Sequence, residues 1–316
     1  MTPAEILIPP DVDNAAVRAG RQTVQLTNLR KPFWTKPTVT KGDLLRYYAS
    51  VSRWLLPHVR GRAMVMKRYP NGASGPFFFM KNVPDPHPAW LTLCLIEHSG
   101  GKIVKFPVVD DLASLLWTVN LGCIDLNQWY APCDDEHRPE YLHFDLDPVT
   151  GANFARVQEC ALLLRDELAS QGMPSYAKTT GSRGIHVYVP IKRGPLQEEV
   201  WQYSKAFAMH VADKHPKLIT AIYAKSKRPK GRIFVDYNQN AWGRTLASVY
   251  SVRPKKRPTV SAPVTWKELE RGVSIEDFRI ENMVSRLQKV GDLWKPLLAR
   301  TGRVDLKRHM QRALRV

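Results

Sequence analysis

Tyr141-Leu142-His143-Phe144-Asp145-Leu146-Asp147-Pro148 is the stretch on which the reading of this chain turns. As an extended strand it places Phe144 and Leu146 on one face and His143, Asp145 and Asp147 on the other. Two carboxylates two residues apart on one face repel each other, and a strand has little structural reason to keep them together. A hard divalent cation with oxygen ligands relieves the repulsion. A solvated strand end with two surface acids would read the same way, so the neighbouring segments must decide.

Downstream, Asn153 caps a helix whose Phe154, Val157, Ala161, Leu164 and Leu168 share a face, and Gly172 ends it. Strands are expected at 176–180 and 185–190 around a tight turn from Gly181 to Gly184, forming a hairpin. A helix over 196–214 follows, then strands at 218–224, 232–236 and 246–251, then short helices. Upstream, a helix starts after Thr40 with Leu44, Tyr48, Val51 and Leu55 on one face, and Pro57 is expected to close it. Strands are read at 63–68, 77–81, 90–96 and 102–109, and a helix capped by Asp110 or Asp111 runs to Gly122. The mixture of hairpins and crossovers predicts an α+β fold with mixed, largely antiparallel central sheets flanked by helices. Residues 1–22 read as an arm or strap outside the core. Residues 23–316 read as a single catalytic domain, with a C-terminal helical segment from about 265.

A third acid ends the stretch Arg232-Ile233-Phe234-Val235-Asp236, on the strand face opposite Ile233 and Val235. Three carboxylates at strand ends suit two metals about 4 Å apart in nucleotidyl transfer. In Thr179-Thr180-Gly181-Ser182-Arg183-Gly184-Ile185-His186 the glycines are expected to free backbone N–H groups for a phosphate, with the Ser182 hydroxyl, Arg183 and His186 beside them. No Walker-type phosphate loop is present. Basic residues crowd around the third acid, at Lys225, Lys227, Arg228 and Lys230, and again at Arg253 and Lys255-Lys256-Arg257. Lys31 and Lys41 flank the start of the first long helix, whose N–H groups favour anions. Phe77-Phe78-Phe79 offers aromatics that would pack in a core or, on a basic surface, stack on bases.

The balance of charge narrows the partner. With 47 Lys and Arg against 29 Asp and Glu, the 316-residue chain carries +18, which implies a polyanion. No apolar run reaches the length of a spanning helix, so nucleic acid is preferred to a membrane. The start lacks a basic flank and apolar core, so no secretory leader is expected. Cys94, Cys123, Cys133 and Cys160 are expected to be reduced thiols in a cytoplasmic, nucleoid-associated protein, and Cys123, Cys133, His137 and His143 match no common zinc spacing.

Taken in order, the segments TNLRKPFW (27–34), KRYPNG (67–72), PFFFMK (76–81), LHFDLDP (142–148), TTGSRGIHVYVP (179–190), KSKRPKGRIFVDYNQN (225–240) and VYSVRP (249–254) resemble the polymerase domain of bacterial ligase D and its stand-alone relatives. These belong to the archaeo-eukaryotic primase superfamily, and the resemblance runs from about Thr27 to the C-terminal helices. It implies a primase-polymerase fold and template-dependent addition of nucleotides, with ribonucleotides preferred, in end joining or gap filling. Asp145, Asp147 and Asp236 match the family's metal-binding acids, for two Mg²⁺ or Mn²⁺ ions. Ser182, Arg183 and His186 match its triphosphate-binding turn. Lys225, Arg228, Gln239 and Arg253 match contacts to the incoming nucleotide. Asn28, Lys31 and Lys41 match a pocket for the 5′-phosphate of a gap, Phe78 and Phe79 match template-stacking aromatics, and Lys67 and Arg68 are expected on the DNA backbone. The implied partners are gapped or broken DNA, nucleoside triphosphates, a separate DNA ligase and Ku. One departure stands out: the family often has a histidine before the PW or QW that precedes the DxD strand, and Asp125 is read at that position in 124–129.

The expected reaction is in-line attack of a primer 3′-hydroxyl on the α-phosphorus of a nucleoside triphosphate. A catalytically silent nucleic-acid-binding scaffold and a metal-dependent nuclease are the rival readings. The three acids weigh against the first, and the triphosphate turn weighs against the second.

Overall fold

The computed structural model describes residues 8–98 and 100–313. They fall into two compact units, and each unit is assembled from separated segments. The first takes residues up to Trp129, then Ala247–Ser261 and Phe278–Gly291; the second takes Tyr130–Leu246, Ala262–Asp277 and the chain from Asp292 on.

The first unit begins with a hairpin of β1 (Ala15–Ala19) and β2 (Gln22–Leu26) and a second of β3 (Pro32–Thr35) and β4 (Thr38–Thr40). Residues 1–7 of the expected arm lie outside the described residues, and the remainder is not a strap. Val17, Ala19, Val24 and Leu26 alternate inward and are buried, so period-two patterning overrides the polar composition. Next comes α1 (Lys41–Val59). Thr40 caps it reciprocally: its hydroxyl accepts from the Asp43 N–H while the Asp43 carboxylate accepts from the Thr40 N–H. Leu44, Tyr48, Val51 and Leu55 are buried as expected. Pro57 does not close the helix but sits in its last turn, where only one intrahelical hydrogen bond is lost before the end.

β5 (Met64–Arg68) lies between β6 (Phe78–Met80) and β9 (Cys123–Gln128) in an antiparallel sheet. β7 (Leu93–His98) and β8 (Lys102–Pro107) form a hairpin, and α2 (Leu112–Asn120) is capped by Asp111. The sequence reading misses β9. Ile124-Asp125-Leu126-Asn127 does alternate, but Asp125, Asn127 and Gln128 are buried like the apolar residues, so the short segment has no solvent face of the kind that alternation normally marks.

The second unit carries β10 (Tyr141–Pro148), α3 (Phe154–Ser170), β11 (Tyr176–Thr179), β12 (Ile185–Pro190), α4 (Gln197–Lys214), β13 (Ile219–Thr220) and β14 (Ile233–Asp236). In the first unit, β15 (Val252–Pro254) and β16 (Pro258–Val260) make a hairpin. β17 (Pro263–Val264) and α5 (Trp266–Arg271) return to the second unit, α6 (Ile280–Val290) belongs to the first, and α7 (Leu306–Ala313) to the second. The second unit's sheet has the order β13-β14-β10-β12-β11-β17, antiparallel throughout except for the parallel β13–β14 pair. Phe144 packs on Phe207 of α4 with ring centroids 5.0 Å apart, which fixes the apolar face of β10.

Two expected strands shrink. The 218–224 strand is only β13, because the carbonyls of Ile222 and Tyr223 accept from the Arg228 guanidinium at 3.0 and 2.8 Å rather than from a ladder. No strand spans 246–251. Buried Tyr250 takes φ +61°, a left-handed conformation that breaks an extended run. Cys123 and Cys160 are free and buried, as expected of reduced thiols.

Candidate active site

The acids of the second unit are brought together by strand register. Asp145 on β10 stands directly opposite Asp236 on β14 and, on its other side, opposite His186 on β12. Directly paired residues project to the same sheet face, so the adjacency that the sequence left open is realised. His186 Nε2 lies 3.3 Å from Asp145 Oδ1. Asp236 is held by its own turn: its Oδ1 accepts from the Asn238 N–H and its Oδ2 from the Gln239 amide, both at 2.9 Å. Gln239 is therefore engaged with the third acid. Asp147 Oδ1 lies 3.5 Å from Arg183 Nε.

Burial, and then the neighbouring Asp145, push the Asp147 carboxyl up to about 6. Burial also raises Asp236, with the charges of Asp145 and Asp147 adding to it. Asp147 and Asp236 thus sit beside Asp145 in surroundings that resist their own ionisation. Among the described residues no three His, Cys, Asp or Glu side chains close on one point as a finished metal cage. The donor set nevertheless has the chemistry of a hard-cation site, three oxygen ligands whose mutual repulsion a divalent ion would relieve. His143, expected on the same face, is fully buried with its ring between Tyr130 and Tyr188, at centroid distances of 4.0 and 5.1 Å. Burial drives its pKa far down.

The turn from Gly181 to Gly184 works differently from the expectation. Its N–H groups do not point outward at a phosphate site. Those of Ser182, Arg183 and Gly184 all donate to the Thr180 hydroxyl, at 3.1, 3.3 and 3.1 Å. A threonine side chain reaches the N–H groups of the turn it precedes and fills their focus. Gly184 is required for a different reason: a Cβ there would lie 2.4 Å from the Leu146 carbonyl oxygen on β10. Arg183 remains exposed. It lines a pocket of about 680 Å³ together with Asp147, Ser182, Lys225, Arg228 and Lys230. Four cations beside one carboxylate make this pocket suited to a polyphosphate. The Arg228 guanidinium also stacks over Phe234 at 3.4 Å from the ring centroid. Sequence reasoning missed Thr180 as the organiser of the turn and Lys230 as a pocket residue. The Thr-Gly pair and the position of Lys230 just before β14 were the available signals.

The other predicted residues belong to the first unit. Lys41 Nζ donates to the Thr27 carbonyl at 2.7 Å and Lys31 Nζ to the Pro70 carbonyl at 2.8 Å. Asn28, whose carbonyl accepts from the Lys31 N–H at 3.1 Å, has φ +55°, a conformation Asn tolerates better than most residues. Burial, then Lys31 and Arg68, lower Lys41 to about 8. Cations therefore converge on this corner, and Arg68 is one of them. Phe77, Phe78 and Phe79 are exposed. Lys67 Nζ lies 4.0 Å from the Phe77 ring centroid and 5.5 Å from that of Phe79, and the Arg68 guanidinium lies 5.3 Å from the Phe78 ring. Arg253 Nε lies 3.4 Å from Asp125 Oδ2, in a pair whose acid is buried. Among the described residues no helix is long and apolar enough to cross a membrane.

A family model described as the LigD primase-polymerase domain matches residues 40–294. The chain belongs to this family. It is accordingly a nucleotidyltransferase of the primase-polymerase class. It is 33% identical over 287 residues to the multifunctional non-homologous end joining DNA repair protein LigD of Mycobacterium tuberculosis, covering 88% of this chain and 37% of that protein. It is 31% identical over 269 residues to the bifunctional non-homologous end joining protein LigD of Bacillus subtilis, covering 85% of this chain and 43% of the relative. The chain thus spans well under half the length of these relatives. The solved polymerase domain of Mycobacterium tuberculosis ligase D in complex with DNA superposes with a TM-score of 0.82 at 31% identity, covering 89% of this chain and 99% of that one. This LigD-type fold accounts for the mixed, largely antiparallel architecture expected from the sequence.

Proposed function

We propose that this LigD-type polymerase adds nucleotides, with ribonucleotides preferred, to primer 3′ ends at gaps or broken ends in end-joining repair. The observation that carries the reading is the register that sets Asp145 against both Asp236 and His186, beside a pocket holding Arg183, Lys225, Arg228 and Lys230. The names of the relatives support the repair context, and the DNA-bound structural neighbour supports a DNA substrate. In this reading both units serve one catalytic domain, as the span of the family match suggests.

Asp145, Asp147 and Asp236 would hold divalent metal, two Mg²⁺ or Mn²⁺ ions, which supplies Lewis-acid charge for nucleotidyl transfer. The chain's own groups do the rest. His186 and Gln239 fix the first and third acids in place. Arg183, Ser182, Lys225, Arg228 and Lys230 bind the triphosphate and neutralise the charge that grows on it as the primer hydroxyl attacks. Arg253 is proposed as a further nucleotide contact, oriented by Asp125. Asn28, Lys31 and Lys41 would take the 5′-phosphate of a gap, Lys67 and Arg68 the backbone, and Phe78 and Phe79 the template bend. A separate ligase and Ku are the proposed working partners, with the nucleoid as the site of action. The nuclease reading is disfavoured by the four cations beside Asp147, since hydrolysis of a diester needs no triphosphate cradle.

Incorporation of labelled ribo- and deoxyribonucleotides on a gapped duplex, with and without a 5′-phosphate, tests this directly. Arg228→Ala should raise the nucleotide KM or lower kcat about tenfold or more and leave DNA affinity and its salt dependence unchanged. Cleavage of the duplex in place of extension would favour the nuclease. An Arg228→Ala effect confined to DNA affinity would move the 225–230 segment out of the nucleotide pocket.

A further inference from the structure

Four side chains stand opposite one another across the second unit's sheet. Lys178 on β11 pairs with His186 on β12, His186 with Asp145 on β10, and Asp145 with Asp236 on β14. Register places all four on one face, and their exposures are 0, 2, 9 and 9%. Across strands about 4.8 Å apart, the row reads cation, imidazole, carboxylate, carboxylate. A fully buried lysine in mid-sheet is unusual, because an aliphatic side chain packs there without desolvating a charge. Lys178 Nζ lies 5.7 Å from the ring centroid of Trp294, whose indole N–H is itself tied to the Ala177 carbonyl at 3.1 Å.

We infer that Lys178 is a positioning residue, a built-in counter-cation that steadies His186 and the Asp145–Asp236 pair when the acids hold no metal. The inference rests on the reading that Asp145, Asp147 and Asp236 hold divalent metal. It adds that the chain supplies a charge of its own in competition with that ion. A unit charge two strand spacings away, roughly 10 Å, alters affinity in a protein interior by about tenfold.

Lys178→Met keeps length and apolar bulk while removing the charge. The full chain, Lys178→Met and Asp145→Asn are compared by thermal melting with and without Mn²⁺, by Mn²⁺ binding, and by NMR of the His186 ring. Lys178→Met should melt several degrees below wild type without metal and match or exceed it when saturated with Mn²⁺. Its Mn²⁺ Kd should tighten about tenfold, and the His186 ring signals should shift. An equal change in melting with and without Mn²⁺, at an unchanged Kd, overturns the inference. Lys178→Gln gives the same comparison if the Met variant does not fold, and failure of both to fold even in Mn²⁺ marks Lys178 as a packing residue and overturns it too. The underlying reading is judged separately. A wild type that binds no Mn²⁺, or an Asp145→Asn variant that binds it like wild type, removes the acids from the metal site and the inference with them.

Discussion

Two clusters of like charge among the described residues, one of each sign, are built on opposite principles. In the second unit Asp145, Asp147 and Asp236 are imposed by strand register on a sheet face, so the backbone ladder keeps them together whatever their repulsion. In the first unit Lys31 and Lys41 are gathered by side-chain hydrogen bonds to loop carbonyls at Pro70 and Thr27. Both clusters are pushed toward neutrality by burial first and like charge second: Asp147 rises to about 6 and Lys41 falls to about 8. Each would be relieved by a ligand of opposite charge, a cation in one case and a phosphate in the other. The rigid cluster suits chemistry that needs fixed oxygens, and the adaptable one suits recognition of a strand end.

Removing charge from the rigid cluster should have the largest effect. Asp145→Asn should lower incorporation at least a hundredfold and leave DNA binding within about twofold, since affinity comes from the basic surface. Asp147→Asn should behave alike in catalysis yet raise the stability of the metal-free chain by about 1–2 kcal/mol, a figure discounted for the exposed part of its side chain. Single-turnover extension beside calorimetric melting separates the two effects. Wild-type extension by either variant would end the distinction between the clusters.

The basic cluster should respond next. Lys31→Ala with Lys41→Ala should erase a preference for 5′-phosphorylated gaps, about tenfold in affinity, and leave extension of a plain primer–template nearly unchanged. The preference should also fade as pH rises through about 8, where Lys41 loses its proton. Stability moves the other way. Between pH 8 and 10.5 the unfolded chain binds more protons at this lysine than the folded one, so folding becomes more favourable as pH rises across that window. Binding of phosphorylated and unphosphorylated gaps from pH 7 to 9.5 checks the first statement. Equal decline on both substrates would show the corner to be a general backbone contact.

The smallest effect belongs to charge outside both clusters. Neutralising Lys255, Lys256 and Arg257 should lower the slope of log K against log salt by up to about three units and weaken binding to all sequences alike. Turnover at saturating DNA should barely move. A loss of turnover would tie this run to one of the clusters.

The sequence by itself determined the elements that carry the acids and most of their helical neighbours. Alternation around Phe144 and Leu146 exposes β10, the Asn153 and Thr40 caps fix the starts of two helices, and Gly181 with Gly184 brackets the hairpin. Such features are local, set by periodicity and by groups within a few residues of each other. Tertiary structure alone decided what those elements meet. Which strands lie beside β10 is a long-range pairing, so the opposition of Asp145 to Asp236 and to His186 is invisible in the order of residues. The burial of β9, the left-handed Tyr250 that interrupts 246–251, and the N–H groups that converge on Thr180 are likewise outcomes of packing. Periodicity records which face of an element is apolar. It does not record which element covers that face, and the charge shifts at Asp147 and Lys41 follow from that covering.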